Sequence, residues 1–161
     1  MNLDEYNAKS RVKALVYGPP KSGKTALVGK LAEHFTLHWL DLENGIKTLL
    51  NPAMLKPEFR KNVNVINFPV TGFVPTAINT VLDIFKGGEK KICYSHGKTN
   101  CPLCSKNAEA RYSTINLGAF GDTDILVIDS LSQLAASALN KITLNQIIKP
   151  GGEEYKATWD D

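Results

Sequence analysis

One stretch of this sequence decides its fold: Gly18-Pro19-Pro20-Lys21-Ser22-Gly23-Lys24-Thr25. It fits the pattern G-x-x-x-x-G-K-[ST], in which glycines let backbone N–H groups turn toward one anion and the following helix N-terminus adds partial positive charge. Residues 12–17 before it are a short apolar run that predicts a buried strand. Residues 24–35 after it carry apolar side chains at helical spacing. The sequence therefore predicts a phosphate-binding loop between a strand and a helix.

The side chains of this loop have distinct predicted roles toward a nucleoside triphosphate, which we expect to be ATP. Lys24 should reach the β- and γ-phosphates and so take part in catalysis, and the Thr25 hydroxyl should bind Mg²⁺, a hard cation that prefers oxygen ligands. A glycine-rich turn with an incidental lysine is the weaker alternative, because all the specified positions match in the right context. The predicted nucleotide-binding residues are Gly18, Pro19, Pro20, Lys21, Ser22, Gly23, Lys24, Thr25, Ala26 and Asp129.

The apolar runs that follow alternate between strand and helix character. Strands are predicted at residues 37–42, 63–68 and 125–129, and helices at residues 76–85 and 132–142. Such alternation is typical of an α/β domain in which helices cover both faces of a mostly parallel sheet. We therefore expect one nucleotide-binding core over residues 1–161. No recognisable strand follows the Pro-Gly-Gly turn near residue 151, so the sheet is expected to be truncated.

Composition and charge place the chain among ordinary globular proteins. Its 161 residues are 43% hydrophobic and 22% charged, with a formal net charge of +3. No apolar run approaches the roughly 18 residues that span a bilayer, and the polar first ten residues do not resemble a secretory signal. We expect a cytoplasmic location and no membrane partner.

Two carboxylates are candidates for the chemistry beside the phosphates. Asp129 ends a buried strand at the edge where open α/β sheets bind ligands, and it is the expected Mg²⁺-site residue. Ser130 follows it instead of a glutamate, so a base that activates water must lie elsewhere. Glu43, just past the strand at residues 37–42, is the catalytic candidate. From the residues alone, a solvated loop position for Glu43 is an equal alternative.

The loop, the Asp41-Leu42-Glu43-Asn44 element and the Ile-Asp-Ser-Leu-Ser-Gln run at residues 128–133 together resemble the RecA-like ATPases. More narrowly, the chain is similar to the bacteriophage ATPases used in single-strand annealing and recombination. The resemblance covers most of residues 11–140. Residues 149–155 match the first DNA-binding loop of the family by position, whereas its γ-phosphate sensor strand and second DNA-binding loop have no counterpart.

That resemblance implies several properties of this chain. Glu43 would be the catalytic base and Asp129 the Mg²⁺-site residue of an ATPase. ATP would modulate binding of single-stranded DNA in phage recombination, annealing or repair, in the host cytoplasm. A homo-oligomer with nucleotide at the subunit interface is also implied. A non-catalytic nucleotide-binding scaffold stays open as an alternative, and a P-loop small-molecule kinase is weakened by the presence of only three arginines.

All three cysteines fall within an irregular insertion at residues 87–110. The spacing C-x₂-H-x₄-C-x₂-C suits a closed tetrahedral Zn²⁺ site like that of a zinc knuckle. A redox pair or ordinary free cysteines are the alternatives. The predicted zinc ligands are Cys93, His96, Cys101 and Cys104.

The same insertion is basic. Residues 86–111 contain six lysine or arginine residues and two glutamates, a local charge of +4. A basic knuckle with Tyr94 and Tyr112 available for stacking predicts a surface for single-stranded nucleic acid. A solvated basic loop is an equal alternative.

Overall fold

The structure, a computed structural model, describes residues 12–68 and 75–147, with side chains up to residue 143. It is a mixed α/β arrangement with a small parallel sheet. Five short 3₁₀ helices add to the helices and strands. The main elements in chain order are α1 (Lys24–Gly29), β1 (Thr36–Asp41), β2 (Val63–Asn67), α2 (Thr76–Phe85), β3 (Lys90–Cys93), β4 (Tyr112–Ile115), β5 (Asp124–Asp129) and α3 (Leu131–Ile147).

The central sheet has three parallel strands in the order β2-β1-β5. Leu40 of β1 lies beside Ile66 of β2 and Ile128 of β5, and Asp41 lies beside Asp129. Because the three strands run the same way, their carboxyl ends lie at one edge of the sheet. This is the edge where the sequence places its candidate nucleotide-binding carboxylates.

Alternating side chains of β1 divide the core between the two faces of the sheet. Leu40 packs with side chains of α2 and partly buried residues of β5 and α3. Leu37 and Trp39 pack on the other face, against residues of α1 and the 3₁₀ segments. Helical segments thus cover both faces of the sheet.

Most of the predicted elements are present within one or two residues of their expected bounds. The helix at residues 76–85 and the strands at residues 37–42, 63–68 and 125–129 are confirmed, and the predicted helix at 132–142 extends over Leu131–Ile147. The helix expected at residues 24–35 is shorter than predicted. It ends at Gly29 and continues as a 3₁₀ turn over Lys30–Glu33, since glycine is a weak helix former.

The prediction of a buried strand at residues 12–17 is wrong. This segment has no regular secondary structure, and Val12, Leu15 and Tyr17 are 90%, 70% and 88% exposed. An apolar run forms a strand only if a neighbouring strand has a free edge with which it can pair. Within residues 12–68 and 75–147, nothing pairs with the outer edge of β5. Consistent with this open edge, all six residues of β5 are only partly buried.

The insertion predicted to be irregular contains a strand. β3 pairs with β4 in antiparallel register, Lys90 opposite Ile115 and Cys93 opposite Tyr112. The paired segment therefore runs past the predicted boundary at residue 110. Ile92 and Ile115 are buried in the same cluster as Leu40. The cysteine-rich turns obscure this pairing in the sequence, because the two strands are only four residues each.

Within the described parts of the chain, no helix has the length and apolar character needed to cross a membrane.

Candidate functional site

The carboxyl edge of the sheet is built around a fully buried aspartate, Asp41. Its Oδ1 accepts a hydrogen bond from the backbone N–H of Gly45 at 3.0 Å, and its Oδ2 accepts one from Ile46 at 3.4 Å. The next residue is also fixed, because the N–H of Leu42 donates to the backbone oxygen of Asp129 at 2.6 Å. These bonds hold the turn that carries Glu43 against the end of β5.

Thr25 and Asp129 meet at this edge. The Thr25 hydroxyl donates to Asp129 Oδ2 at 3.2 Å, although the two residues are 104 positions apart. Gly45 lies close to both, since a Cβ at that position would be 3.7 Å from Asp129 Oδ2 and 3.9 Å from Thr25 Oγ1. The start of α1 and the end of β5 therefore bring side-chain oxygen atoms together beside Gly45.

Glu43 lies at the same edge. The Ser130 hydroxyl donates to Glu43 Oε1, and the peptide bond that joins Asp129 to Ser130 is cis. The structure thus places Glu43 against the residue that directly follows Asp129.

The electrostatics of the edge disfavour ionised Asp129. Burial raises its pKa above the usual aspartate value, and the nearby carboxylates of Glu43 and Asp41 raise it further, while the hydrogen bond from Thr25 acts in the opposite direction. A cation bound near Asp129 would favour its ionised form, because it would offset the effect of the neighbouring negative charge.

The glycine-rich loop lies at the surface next to this edge. Gly23, immediately before α1, has a φ of 84°, a left-handed conformation that glycine adopts without steric cost. The Lys24 ammonium donates to the backbone oxygens of Gly18 and Pro19 at 3.0 and 2.9 Å. Lys24, Thr25 and Ala26 are partly buried, and the loop residues before them are exposed. The loop backbone is therefore accessible to an anion.

The cysteine and histidine ligands predicted from sequence lie together. Their ligand atoms all fall within 4.8 Å of one another, and the three cysteines are buried and form no disulfide. His96 Nδ1 is 3.3 Å from Cys104 Sγ, 3.5 Å from Cys101 Sγ and 4.0 Å from Cys93 Sγ. Zinc bonds of roughly 2.3 Å to sulfur and 2.1 Å to nitrogen put these atoms roughly 3.6 Å apart in a tetrahedral site. The cluster could therefore bind a metal ion such as zinc.

The pKa values of two thiols in this cluster are shifted in opposite directions. The backbone N–H of Cys104, and then that of Leu103, lower the pKa of Cys101 to about 7. Burial raises the pKa of Cys104 to about 11. Metal ligation requires thiolates, so binding of a divalent ion must release protons from this cluster.

Two hydrogen bonds attach the metal-ligand loop, residues 96–101 between the ligands His96 and Cys101, to the helix α2. The Thr80 hydroxyl donates to the backbone oxygen of Gly97 at 2.7 Å, and the Thr99 hydroxyl donates to Asp83 Oδ2 at 2.5 Å. The cluster is thus part of the main domain and not a separate module. Sequence reasoning missed this attachment because none of these four residues carries a pattern of its own.

Sequence reasoning also missed Asp41 and Ser130. Asp41 precedes Glu43 by two positions in Asp-Leu-Glu, and such a pair at the end of a strand was the available signal. In the sequence, Ser130 is part of the run at residues 128–133 and stands where a glutamate is absent, and neither feature indicates a contact with Glu43. Its role as a hydrogen-bond donor to Glu43 depends on a contact between residues 87 positions apart.

Comparison of the chain with protein-family models, curated proteins and solved structures found no match.

Proposed function

We propose that this chain is a Mg²⁺-dependent ATPase of the RecA-like P-loop class that acts with single-stranded DNA in phage recombination, annealing or repair. The observation that best supports the proposal is the hydrogen bond between Thr25 and Asp129. It joins the two residues expected to form the Mg²⁺ site, and Glu43, the expected base, lies beside them.

In the proposed site, residues 18–26 bind the phosphates of ATP. Backbone N–H groups of the exposed loop and the start of α1 surround the β-phosphate. The Lys24 ammonium exchanges the neutral carbonyl oxygens of Gly18 and Pro19 for charged phosphate oxygens, which are stronger acceptors. Lys24 then stabilises the charge that develops on the transferred phosphoryl group.

Thr25 and Asp129 would hold the Mg²⁺, directly or through a water molecule. The metal, when bound, neutralises charge on the phosphate oxygens. Asp129 must be ionised for this, and a cation at the site favours its ionised form. Glu43 accepts the proton of the attacking water. In the proposal, Ser130 holds Glu43 at rest and releases it when the water is in position.

The cluster of Cys93, His96, Cys101 and Cys104 has a structural role in this proposal. Three thiolates and one imidazole complete the four positions of a tetrahedral zinc ion, so no coordination site remains for substrate. The function of the metal would then be to fix the turns between β3 and β4.

A non-catalytic nucleotide-binding scaffold is the second candidate. It is favoured by one observation, the exposure of residues 12–17, which leaves the segment before the loop outside the sheet. A phosphate loop that is not anchored in a sheet holds the γ-phosphate less firmly, and hydrolysis depends on that positioning more than binding does.

The test is ATP turnover by the zinc-loaded chain, with and without single-stranded DNA, for the wild type and the Lys24→Ala and Glu43→Gln variants. We expect Lys24→Ala to lose both nucleotide binding and turnover. Glu43→Gln should keep binding and lose turnover by at least about 100-fold, which is the usual contribution of a general base. Lys30→Ala, an exposed lysine just past the end of the same helix, is the matched control.

Each outcome of this test distinguishes the candidates. Turnover that DNA stimulates and that Glu43→Gln loses supports the ATPase. ATP binding that requires Lys24, with no turnover in any condition, supports the scaffold. Binding that Lys24→Ala leaves intact contradicts both, because the loop would then not be the phosphate site.

A further inference from the structure

A groove of about 750 Å³ lies on the side of the domain where the cysteine-rich segment meets the helices α2 and α3. One wall is the length of α2, a ten-residue helix and so roughly 15 Å long. Lys98 and Thr99 of the metal-ligand loop form a second wall, and Lys141 of α3 also lines it. The groove is distinct from the carboxyl edge of the sheet, since none of its lining residues belongs to the phosphate loop, β1 or β5.

The charge of the groove is positive. Lys86, Lys98 and Lys141 line it, and Asp83 is the only carboxylate among its lining residues, so its formal charge is +2. Asp83 is engaged by the Lys86 ammonium at 3.1 Å and by the Thr99 hydroxyl. Those two hydrogen bonds lower the pKa of Asp83 below its usual value. Lys98 and Lys141 have no acidic partner within the described parts of the chain.

The groove also has an exposed aromatic and aliphatic side. Phe85 is 56% exposed and Leu82 is 44% exposed, both on the face of α2 that lines the groove. Two buried residues, Thr76 and Thr80, also line the groove. Thr80 is bonded to Gly97, whereas the Thr76 hydroxyl has no hydrogen-bond partner among the residues that the structure describes.

Lysines along a groove beside an exposed aromatic ring suit one class of ligand. A single strand offers phosphates to ammonium groups and unstacked bases to an aromatic face, whereas a duplex hides its bases. We infer that single-stranded DNA binds in this groove, with Lys98 and Lys141 on its phosphates and Phe85 stacked on a base. This inference takes its partner from the proposed function and assigns the surface that holds it.

In this inference, DNA binds to a surface in which the position of Lys98 depends on the metal site. Lys98 lies between His96 and Cys101 in the sequence, and its neighbours Gly97 and Thr99 are bonded to α2. Metal binding would therefore set the distance between Lys98 and the other two lysines. Lys106, two positions after Cys104, is exposed and does not line the groove.

The test is fluorescence anisotropy of a labelled oligothymidylate of roughly 15 nucleotides, within the site sizes of known single-strand binders. Affinity is measured at several salt concentrations with the zinc-loaded chain. Lys98→Ala and Lys141→Ala should each weaken binding several-fold and reduce the salt slope by about 0.7, the contribution of one phosphate contact on a single strand. Lys106→Ala and Lys61→Ala remove the same charge outside the groove and should leave the slope unchanged.

A second pair of variants tests the aromatic contact. Phe85→Ala should weaken binding at least about five-fold, the lower end of what one stacked base contributes. Tyr94, a stacking residue predicted from the sequence, has a similar exposure but does not line the groove. An effect of Tyr94→Ala as large as that of Phe85→Ala would therefore contradict the groove.

Three results would overturn the inference. If Lys106→Ala weakens DNA binding as much as Lys98→Ala does, the DNA is attracted by the net positive charge of residues 86–111 and not by the groove. Equal affinity for a duplex of the same length would exclude a role for exposed bases. A wild type that binds ATP but no DNA would contradict DNA binding in the groove and would remain consistent with the proposed nucleotide site. Conversely, the chain could bind DNA, lose affinity in the Lys98→Ala variant and show no ATP turnover. That result would support the groove and contradict the proposed ATPase activity.

Discussion

At the level of single side chains, folding and the proposed function place opposite requirements on the ionisation of Asp129. Burial and its carboxylate neighbours raise its pKa, so the fold disfavours its ionised form. The associated stability is present at low pH and is lost as the pH rises from about 4 through the raised pKa. At neutral pH and without Mg²⁺, ionised Asp129 therefore destabilises the domain.

This argument predicts that Asp129→Asn raises the melting temperature at pH 7 in Mg²⁺-free buffer. The gain should disappear at pH values below about 4, where Asp129 itself is protonated. Under the proposed function, Mg²⁺ and ATP should raise the melting temperature of the wild type, and the same variant should lose that rise. Thermal unfolding at both pH values is the measurement, with the exposed Asp122→Asn as control. A variant less stable than the wild type at pH 7 would show that the carboxylate is favourable there.

At the level of elements, the packing of α1 depends on a glycine near its end. Gly29 has ordinary helical angles, so its backbone does not require glycine. It is buried against Leu49 in the 3₁₀ helix Gly45–Leu50, and a Cβ at Gly29 would lie 2.9 Å from Leu49 Cδ1 and 3.2 Å from its Cγ. The close approach of these two elements, not a turn, requires the small residue.

We therefore expect Gly29→Ala to destabilise the domain by about 1–3 kcal/mol, the usual cost of overpacking, although alanine is the better helix former by about 1 kcal/mol. Urea unfolding measures this change. The Gly29→Ala/Leu49→Ala double variant should lose less than the sum of the two single losses, because removing the Leu49 side chain makes room for the new methyl. Strict additivity would contradict the contact.

The β3–β4 hairpin couples the metal site to the main core. Ile92 and Ile115 are buried with Leu40, Ile66 and Val81. If metal binding orders the turns that join the two strands, metal loss also loosens these contacts. The hairpin is therefore expected to unfold with the rest of the domain.

Removal of zinc by a strong chelator, or by Cys104→Ser, should lower the melting temperature by roughly 5 °C or more, since the site and the apolar contacts of the hairpin contribute several kcal/mol. The unfolding should stay a single transition. Lys106→Ala, which removes an exposed side chain two positions after Cys104, is the control. A separate early transition, with the main one unchanged, would mean that the hairpin is independent of the core.

For the whole molecule, the described part of the sheet has a central strand, β1, and an edge strand, β5, that differ in hydrogen bonding. β1 has a parallel neighbour on each side, whereas β5 has β1 on one side and no strand on the other among the described residues. Amides of β1 should therefore exchange with solvent more slowly than the outward-facing amides of β5. Hydrogen exchange of the ligand-free chain measures both strands.

Equal protection of both edges of β5 would contradict this arrangement. It would mean that another segment, such as residues 12–17, pairs there in solution. Added Mg²⁺ and ATP supply an internal comparison, because ligand at the carboxyl edge should protect the ends of β1 and β5 without altering the unpaired edge.

Much of the fold was predictable because its signals are local. The spacing of apolar residues defined α2 and α3, and continuous apolar runs defined β1, β2 and β5. Three segments were missed or mistaken for a shared reason: a strand is stable only with a partner. β3 pairs with β4 despite a weak pattern, and residues 12–17 find no partner despite a strong one.

The sequence by itself determined the α/β alternation, the glycine-rich loop before α1 and the grouping of three cysteines with one histidine, because each element or motif is defined by residues close together in the chain. Only the tertiary structure brought Thr25 to Asp129, buried Asp41 behind the turn of Glu43, and placed Lys98 and Lys141 in one groove. These juxtapositions depend on strand order and helix packing, which set distances between residues far apart in the chain and leave no local periodicity to recognise.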